Sequence, residues 1–184
     1  MREYHMTTPL GKEDLKKLEV GDIVYLTGDV YTSRDAAHRR YKDCLEQGRE
    51  LPIDLNGKTI FYAGPCPTPP HRNMGSTAPT SSVRMDPYVE MTFKLGVPAM
   101  IGKGNRSPYV ADLCKQYGGV YFLSIGGASA MISDQIKTCE VLAYEDLGTE
   151  SVKKLGVENL RLIVGIDTNG RVFQDEQKAI YARK

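Results

Sequence analysis

Apolar and polar positions along this chain switch repeatedly between a helical and a strand period, and the switches outline its elements. Lys12 to Leu18 has a short helical pattern, followed by the β-rich run Asp22-Ile23-Val24-Tyr25-Leu26-Thr27, closed by Gly28-Asp29. In Arg34 to Gln47 the residues Ala37, Tyr41, Cys44 and Leu45 fall at i, i+4, i+7 and i+8, one face of a helix, with Ser33 placed to cap it and Gly48 to stop it. Asn56-Gly57 marks a turn, and Thr59 to Ala63 reads as the next strand, ending at Gly64-Pro65.

The pattern then breaks. Between Pro65 and Pro87 stand six of the ten prolines and a Ser/Thr cluster, a long irregular segment of the kind that is usually functional when good elements flank it. Asp86-Pro87 reads as a cap followed by a first-turn proline, opening a helix to Leu95 that starts as early as Ser82 in an alternative reading. Val97 to Ile101 predicts a strand, Ser107-Pro108 opens a helix to Tyr117, and Val120 to Leu123 predicts another strand. After the Gly126-Gly127 loop come a short helix and strands over Lys137 to Tyr144, Leu160 to Ile166 and Arg171 to Phe173, the last two joined by the turn Asp167-Thr168-Asn169-Gly170. This alternation predicts an α/β layered domain, and the final hairpin predicts a mixed sheet. Gln174 to Lys184 reads as a polar tail or a docking arm.

Length and composition fit one compact domain over residues 1–184: 41% hydrophobic and 26% charged residues are ordinary for a globular chain. With 24 basic against 23 acidic side chains there is no global field for nucleic acid or an anionic membrane, so any anion recognition is local. The polar start Met1-Arg2-Glu3-Tyr4-His5 has no apolar signal core, and the long uncharged stretch from Tyr117 is broken by glycines, so a soluble cytoplasmic protein is expected. Cys44, Cys66, Cys114 and Cys139 are scattered without a Cys-x-x-Cys pair, and are expected to be reduced thiols that ligate nothing.

Candidate chemistry gathers in three clusters, each where a strand or loop hands over to a helix: Thr32 to His38, Ala78 to Asp86, and Ile101 to Ser107. Such places offer unpaired N–H groups to an anion, and the clusters add Arg34, Arg84 and Lys103. For Arg34 and His38, a solvated cation beside a satisfied histidine explains the spacing as well, with Asp35 as an internal counter-charge. Thr80, Ser81 and Ser82 next to Arg84 supply hydroxyl donors and a planar fork, or simply cap a helix. Gly102 and Gly104 around Lys103 allow close backbone approach, although the order of a phosphate-binding P-loop is absent. His71 and Arg72 are either gate residues or exposed, and no nucleophile elbow surrounds Thr80.

Taken together, Arg34-Asp35-Ala36-Ala37-His38-Arg39, Phe61-Tyr62-Ala63-Gly64-Pro65, Pro79-Thr80-Ser81-Ser82-Val83-Arg84-Met85-Asp86, Lys103-Gly104-Asn105 and Gly126-Gly127-Ala128 resemble the C-terminal domain of class I fumarases and the β subunit of two-subunit fumarases and L-tartrate dehydratases. The resemblance covers nearly the whole chain and implies a swivelling β/β/α domain. It implies a cluster-free β subunit paired with an α subunit, as an α2β2 assembly, the four-iron four-sulfur cluster lying in that partner. The implied reaction is reversible hydration of fumarate to (S)-malate, with tartrate dehydration as the close alternative and a non-catalytic anion-binding or regulatory domain as the alternative of another class. It further implies Arg34, Arg84 and Lys103 as substrate-carboxylate ligands, Thr80 as the proton-transferring hydroxyl and Ser81 as its neighbour. Ala78-Pro79-Thr80-Ser81 departs from the family's more usual Gly-Pro and two threonines, which keeps the hydroxyl chemistry and implies a different discrimination of substrate shape.

Overall fold

The computed structural model describes residues 1–72 and 74–182, and is a mixed α/β domain built on one seven-stranded sheet. Strand β1 (Glu3–Thr7) lies parallel to β2 (Ile23–Thr32), with helix α1 (Lys12–Lys16) between them. Helix α2 (Asp35–Glu46) leads to β3 (Thr59–Phe61), which is parallel to both β2 and β6 (Ala99–Gly102). Between β3 and β6 the chain makes a small antiparallel pair, β4 (Ala63–Pro65) with β5 (Thr77–Pro79), then a 3-10 helix over Ser82–Tyr88 and helix α3 (Val89–Lys94). Helix α4 (Pro108–Tyr117) connects β6 to the parallel β7 (Val120–Ser124). Helix α5 (Ser129–Gln135), β8 (Ile136–Ala143), a second 3-10 helix (Glu145–Glu150), β9 (Val152–Ile166) and helix α6 (Phe173–Tyr181) complete the chain.

Strand β9 closes the sheet. One of its edges runs antiparallel along β2 from Lys154 to Ile163, while the other pairs with β8 near its start and with β7 from Leu162 to Ile166. The ring β2, β3, β6, β7, β9 therefore returns to β2 and leaves few open strand edges. Where β2 and β9 bend, the register passes from Leu26↔Leu160 to Gly28↔Val157, so β9 holds one residue more than β2. Gly28 meets the bulge with φ +110°, and a Cβ there would stand 2.4 Å from Thr8 Oγ1. Gly28, expected to end the strand, thus lies within a longer one, opposite the bulge.

The three short parallel strands are buried on both faces, as parallel strands covered by helices must be. Phe61, Ala99, Ile101, Val120 and Phe122 point into one core with Leu26, Leu155 and Leu162, capped by Leu15 and Leu18 around α1. Their alternate neighbours Ile60, Tyr62, Met100 and Tyr121 point to the other core, against Ala37 and Tyr41 of α2, Phe93 of α3 and Val110 and Cys114 of α4. Each fully buried large side chain contributes about 1.5–3 kcal/mol of transfer free energy.

Several sequence expectations shift. The N-terminal strand and the first half of β9 were not foreseen. The expected Arg171–Phe173 strand is a single bridge, Ile166 to Val172, so the sheet is mixed because of β9 and not because of a C-terminal hairpin. The expected polar tail is helical from Phe173 to Tyr181, with the Phe173 ring 2.9 Å from where a Cβ of Gly21 would lie; residues 183–184 fall outside the described part. The α2 cap is Arg34, in extended conformation and without a side-chain cap bond, and the Ser33 hydroxyl faces His38 instead.

His38 itself is fully buried among Tyr41, Tyr62 and Tyr88. Its Nδ1 lies 2.8 Å from the Arg34 carbonyl, which can only accept, so the ring proton sits on Nδ1. Burial pushes its pKa down to about 4, against the opposing effect of that carbonyl and with help from the Arg106 charge. The folded protein therefore binds fewer protons than the unfolded chain as pH falls from about 6.5 towards 4, and about 3 kcal/mol present above that window is lost across it. Urea midpoints measured through this range are expected to fall more steeply for the wild type than for His38→Gln; parallel curves would contradict it.

Candidate functional site

The carboxyl ends of β2, β3 and β6 lie side by side, because these strands are parallel neighbours, and each of the three cationic clusters follows one of these ends or the segment that returns to it. Ligand crevices of parallel sheets form at this edge. Thr32 ends β2 and Arg34 follows as the cap of α2. The chain beyond β3 turns out to the β4/β5 pair and comes back at Thr80, whose N–H donates to the Tyr62 carbonyl at 2.9 Å. Ser81 then bridges in parallel to Lys103, the first residue after β6.

The Ser81 to Lys103 connection is held tightly. Ser82 N–H donates to the Lys103 carbonyl at 3.3 Å, and Lys103 N–H donates back to Ser82 Oγ at 2.9 Å. Ser82 can come this close because Gly102 has no side chain: a Cβ there would lie 2.0 Å from Ser82 Oγ and 2.9 Å from the Tyr121 hydroxyl. That hydroxyl donates to the Gly104 carbonyl at 3.3 Å, fixing the loop on the far side of Lys103, where Gly104 turns with φ +78°. Ser82 is thereby a backbone clip, while the Ser81 side chain remains exposed and Thr80 half-buried.

Arg34 reaches the same edge from α2. Its Nη2 lies 2.8 Å from Glu150 Oε1, with the two side chains 18% and 24% exposed, and its Nε is buried without a hydrogen-bond partner. The counter-charge expected from Asp35 is thus supplied by Glu150, 116 positions along the chain by numbering. Gly64 makes the room: a Cβ on it would stand 2.9 Å from Arg34 Nη1 and 3.0 Å from the Thr149 carbonyl. Since Ala63 pairs with Pro79, Arg34 lies beside the backbone that continues into Thr80. Arg84 is exposed on the 3-10 helix, its N–H donating to the Ser81 carbonyl at 3.3 Å.

Beneath these groups lies an ion pair that the sequence did not reveal. Arg106 Nε donates to Asp86 Oδ1 at 2.5 Å, and Ser107 N–H donates to Asp86 Oδ2 at 2.7 Å, with the two charged side chains only 1% and 2% exposed. Asp86, expected to open α3, instead accepts from the N–H of Ser107, the residue that caps α4, and Pro87 sits inside the 3-10 helix. The Arg106 guanidinium is stacked over Tyr121 at 4.6 Å and Tyr62 at 5.3 Å, which offsets part of its desolvation while Nη1 and Nη2 stay unpartnered. Desolvation lowers its pKa, and the nearby Tyr62, Asp86 and Tyr121 outweigh it, so the net direction is upward and the guanidinium stays charged. This clamp joins the segment bearing Arg84 to the loop bearing Lys103.

Other candidates fall elsewhere. Arg72 pairs with Asp134 at 2.9 Å on the surface, tying the proline-rich loop to α5. Gly126 and Gly127 are exposed and lead into α5, which has no side-chain cap. Cys44 and Cys114 are buried and Cys66 and Cys139 exposed, all free, and among the described residues no three His, Cys, Asp or Glu converge as metal ligands. The donor set of an iron–sulfur cluster does not fit this chain's residues. No described helix is long and apolar enough to cross a membrane.

What remains is a rim of cations and hydroxyls, Arg34, Arg84, Lys103, Thr80 and Ser81, on a backbone fixed by Ser82 and by the Asp86–Arg106 clamp. Cations and hydroxyls of these types are the groups that hydrogen-bond a small polyanion. Asp86→Asn, which leaves Arg106 buried and unpaired, is expected to cost about 3–5 kcal/mol in urea denaturation, whereas Arg84→Ala changes stability by less than about 0.5 kcal/mol. Equal losses would mean that Arg84 is structural.

The chain is 39% identical over 161 residues to the anaerobic class I fumarate hydratase of Escherichia coli K12 and 38% identical over 181 residues to fumarate hydratase 2 of Leishmania major. These alignments cover 86% and 91% of this chain but only 29% and 32% of those proteins, so it spans about a third of their length. It is 35% identical over 188 residues to the beta subunit of L(+)-tartrate dehydratase of Escherichia coli K12, covering 97% of this chain and 90% of that subunit. The family model for the fumarase C-terminus matches residues 1–177, and the chain belongs to that family.

Proposed function

We propose that this chain is the β subunit of an iron–sulfur hydro-lyase that reversibly hydrates fumarate to (S)-malate, its rim binding the dicarboxylate. The observation that carries the reading is the Ser81–Lys103 bridge, which joins hydroxyl and cation clusters 22 positions apart into one edge beside Arg34. Two carboxylates at opposite ends of a short substrate need cations from different segments, and this edge has three. The four-iron four-sulfur cluster is assigned to a partner α subunit in an α2β2 assembly, where it would supply Lewis-acid polarisation of the substrate hydroxyl.

Within that assembly Arg34, Arg84 and Lys103 bind substrate carboxylates. Planar forks from the arginines fix orientation, and the lysine adds a point charge on a loop whose backbone is pinned on both sides of it. Thr80 is the proposed proton-transferring hydroxyl, with Ser81 beside it. A free threonine hydroxyl is a weak base, so this role requires activation by a nearby cation or by the cluster. A second reading, the β subunit of a tartrate dehydratase, is favoured by length: the chain covers 90% of that β subunit and less than a third of the E. coli fumarate hydratase.

Co-expression with a cluster-bearing α subunit, followed by assays on fumarate, malate, L-tartrate and mesaconate, separates these readings. The pair is expected to hydrate fumarate, and the chain alone to be inactive. Turnover of tartrate alone would select the second reading, and diacid binding without turnover by the intact pair would select an anion-binding domain. Arg84→Ala and Lys103→Ala are each expected to lower kcat/KM by about 100-fold or more at unchanged melting temperature, the loss of a charged ligand costing about 3 kcal/mol. Near-normal rates would make them solvated surface charges.

A further inference from the structure

Among the described residues, Arg34 is the one proposed substrate ligand of the three with a carboxylate on its guanidinium, and the segment carrying that carboxylate is anchored on both sides. Glu150 ends the 3-10 helix that leads into β9. On one side, Ser151 Oγ donates to the Gly148 carbonyl at 2.7 Å. On the other, Thr32 Oγ1 donates to the Ser151 carbonyl at 3.1 Å and accepts from Lys153 N–H at 2.9 Å. Thr32 stands two residues before Arg34, so the end of β2 fixes both partners of the ion pair.

Lys153 tightens the same turn. Its side chain is buried, 7% of the residue being exposed, and its ammonium donates to the Gly148 carbonyl at 3.0 Å and, more loosely, to the Thr149 and Ser151 carbonyls at 3.4 Å. The ammonium also donates to Ser151 Oγ at 2.5 Å, so the turn's own carbonyls and hydroxyl hold it and Glu150 is left for Arg34. A carboxylate fixed at both flanks is built to hold a partner in place and not to swing away when substrate arrives.

The orientation that results is specific. Glu150 takes Nη2 at 2.8 Å, and the missing side chain of Gly64 lets Nη1 lie along β4, next to the Ala63–Pro79 pair that continues into Thr80. We propose that Glu150 is a positioning residue that fixes the Arg34 fork towards the dicarboxylate, so that substrate meets a preset cation and not a mobile one. This inference rests on the reading of Arg34 as a substrate ligand, and it adds a residue from a distant segment to the site.

The test is a double-mutant cycle in the co-expressed αβ pair, with fumarate as the probe, joined to NMR of arginine side-chain nitrogens in the full chain. Glu150→Ala is expected to raise KM about tenfold with a smaller change in kcat, Glu150→Gln to raise it less, and Glu150→Ala to add nothing in an Arg34→Ala background. Additive losses in the double variant would overturn the proposal. In NMR, the Arg34 guanidinium signals should show restricted rotation in the wild type and averaged signals in Glu150→Ala; unchanged signals would also overturn it. If the wild-type pair turns over no diacid, the hydro-lyase reading fails, while the NMR comparison still decides whether Glu150 fixes Arg34.

Discussion

The antiparallel run of β9 along β2 is the constraint on which this molecule depends. It closes the sheet, buries Leu155, Leu160 and Leu162 in the inner core, and brings residues near 150 to residues near 32. Without that pairing the β2 end would carry Arg34 on an unsupported strand–helix junction, facing a cationic edge with no counter-charge. With it, Thr32 is hydrogen bonded to Ser151 and Lys153, and Arg34 to Glu150 by charge. Fold closure and site assembly are the same event at this corner.

At the other corner the cost runs the opposite way. Burying Asp86 and Arg106 removes two charges from water, a penalty that a single hydrogen-bonded ion pair seldom more than offsets. The pair is nonetheless surrounded by compensations: the Ser107 N–H that opens α4, and the faces of Tyr62 and Tyr121. Its consequence is geometric, since it ties the 3-10 helix of Arg84 to the loop of Lys103. A buried pair of this kind specifies one arrangement of two loops more than it stabilises the whole fold.

Glycines complete the assembly by absence. Gly64 and Gly102 each leave the space of one Cβ, one filled by the Arg34 guanidinium and the other by the Ser82 hydroxyl. In both cases a polar group occupies the place, and both places lie on the cationic edge. Gly64, expected to end a strand, and Gly102, expected to allow close backbone approach, are both places where a polar side chain comes close.

The sequence by itself determined the helices with clear 3.6-residue faces, α2 and α4, the short apolar parallel strands, and the cationic and hydroxyl clusters, because these are local properties of neighbouring residues. It also carried the family resemblance, which covers nearly the whole chain. It did not carry β1 or the first half of β9, where mixed residues such as Lys153, Lys154 and Glu158 hide a strand that pairs on one edge with β2, over a hundred residues away. Nor did it carry Glu150 and Arg106, charged residues of common types whose roles depend on what they touch: one sits against Arg34, the other under two tyrosine rings. Only the tertiary structure decided those, because an ion pair is set by distance in space, and strand pairing alone brings these segments together.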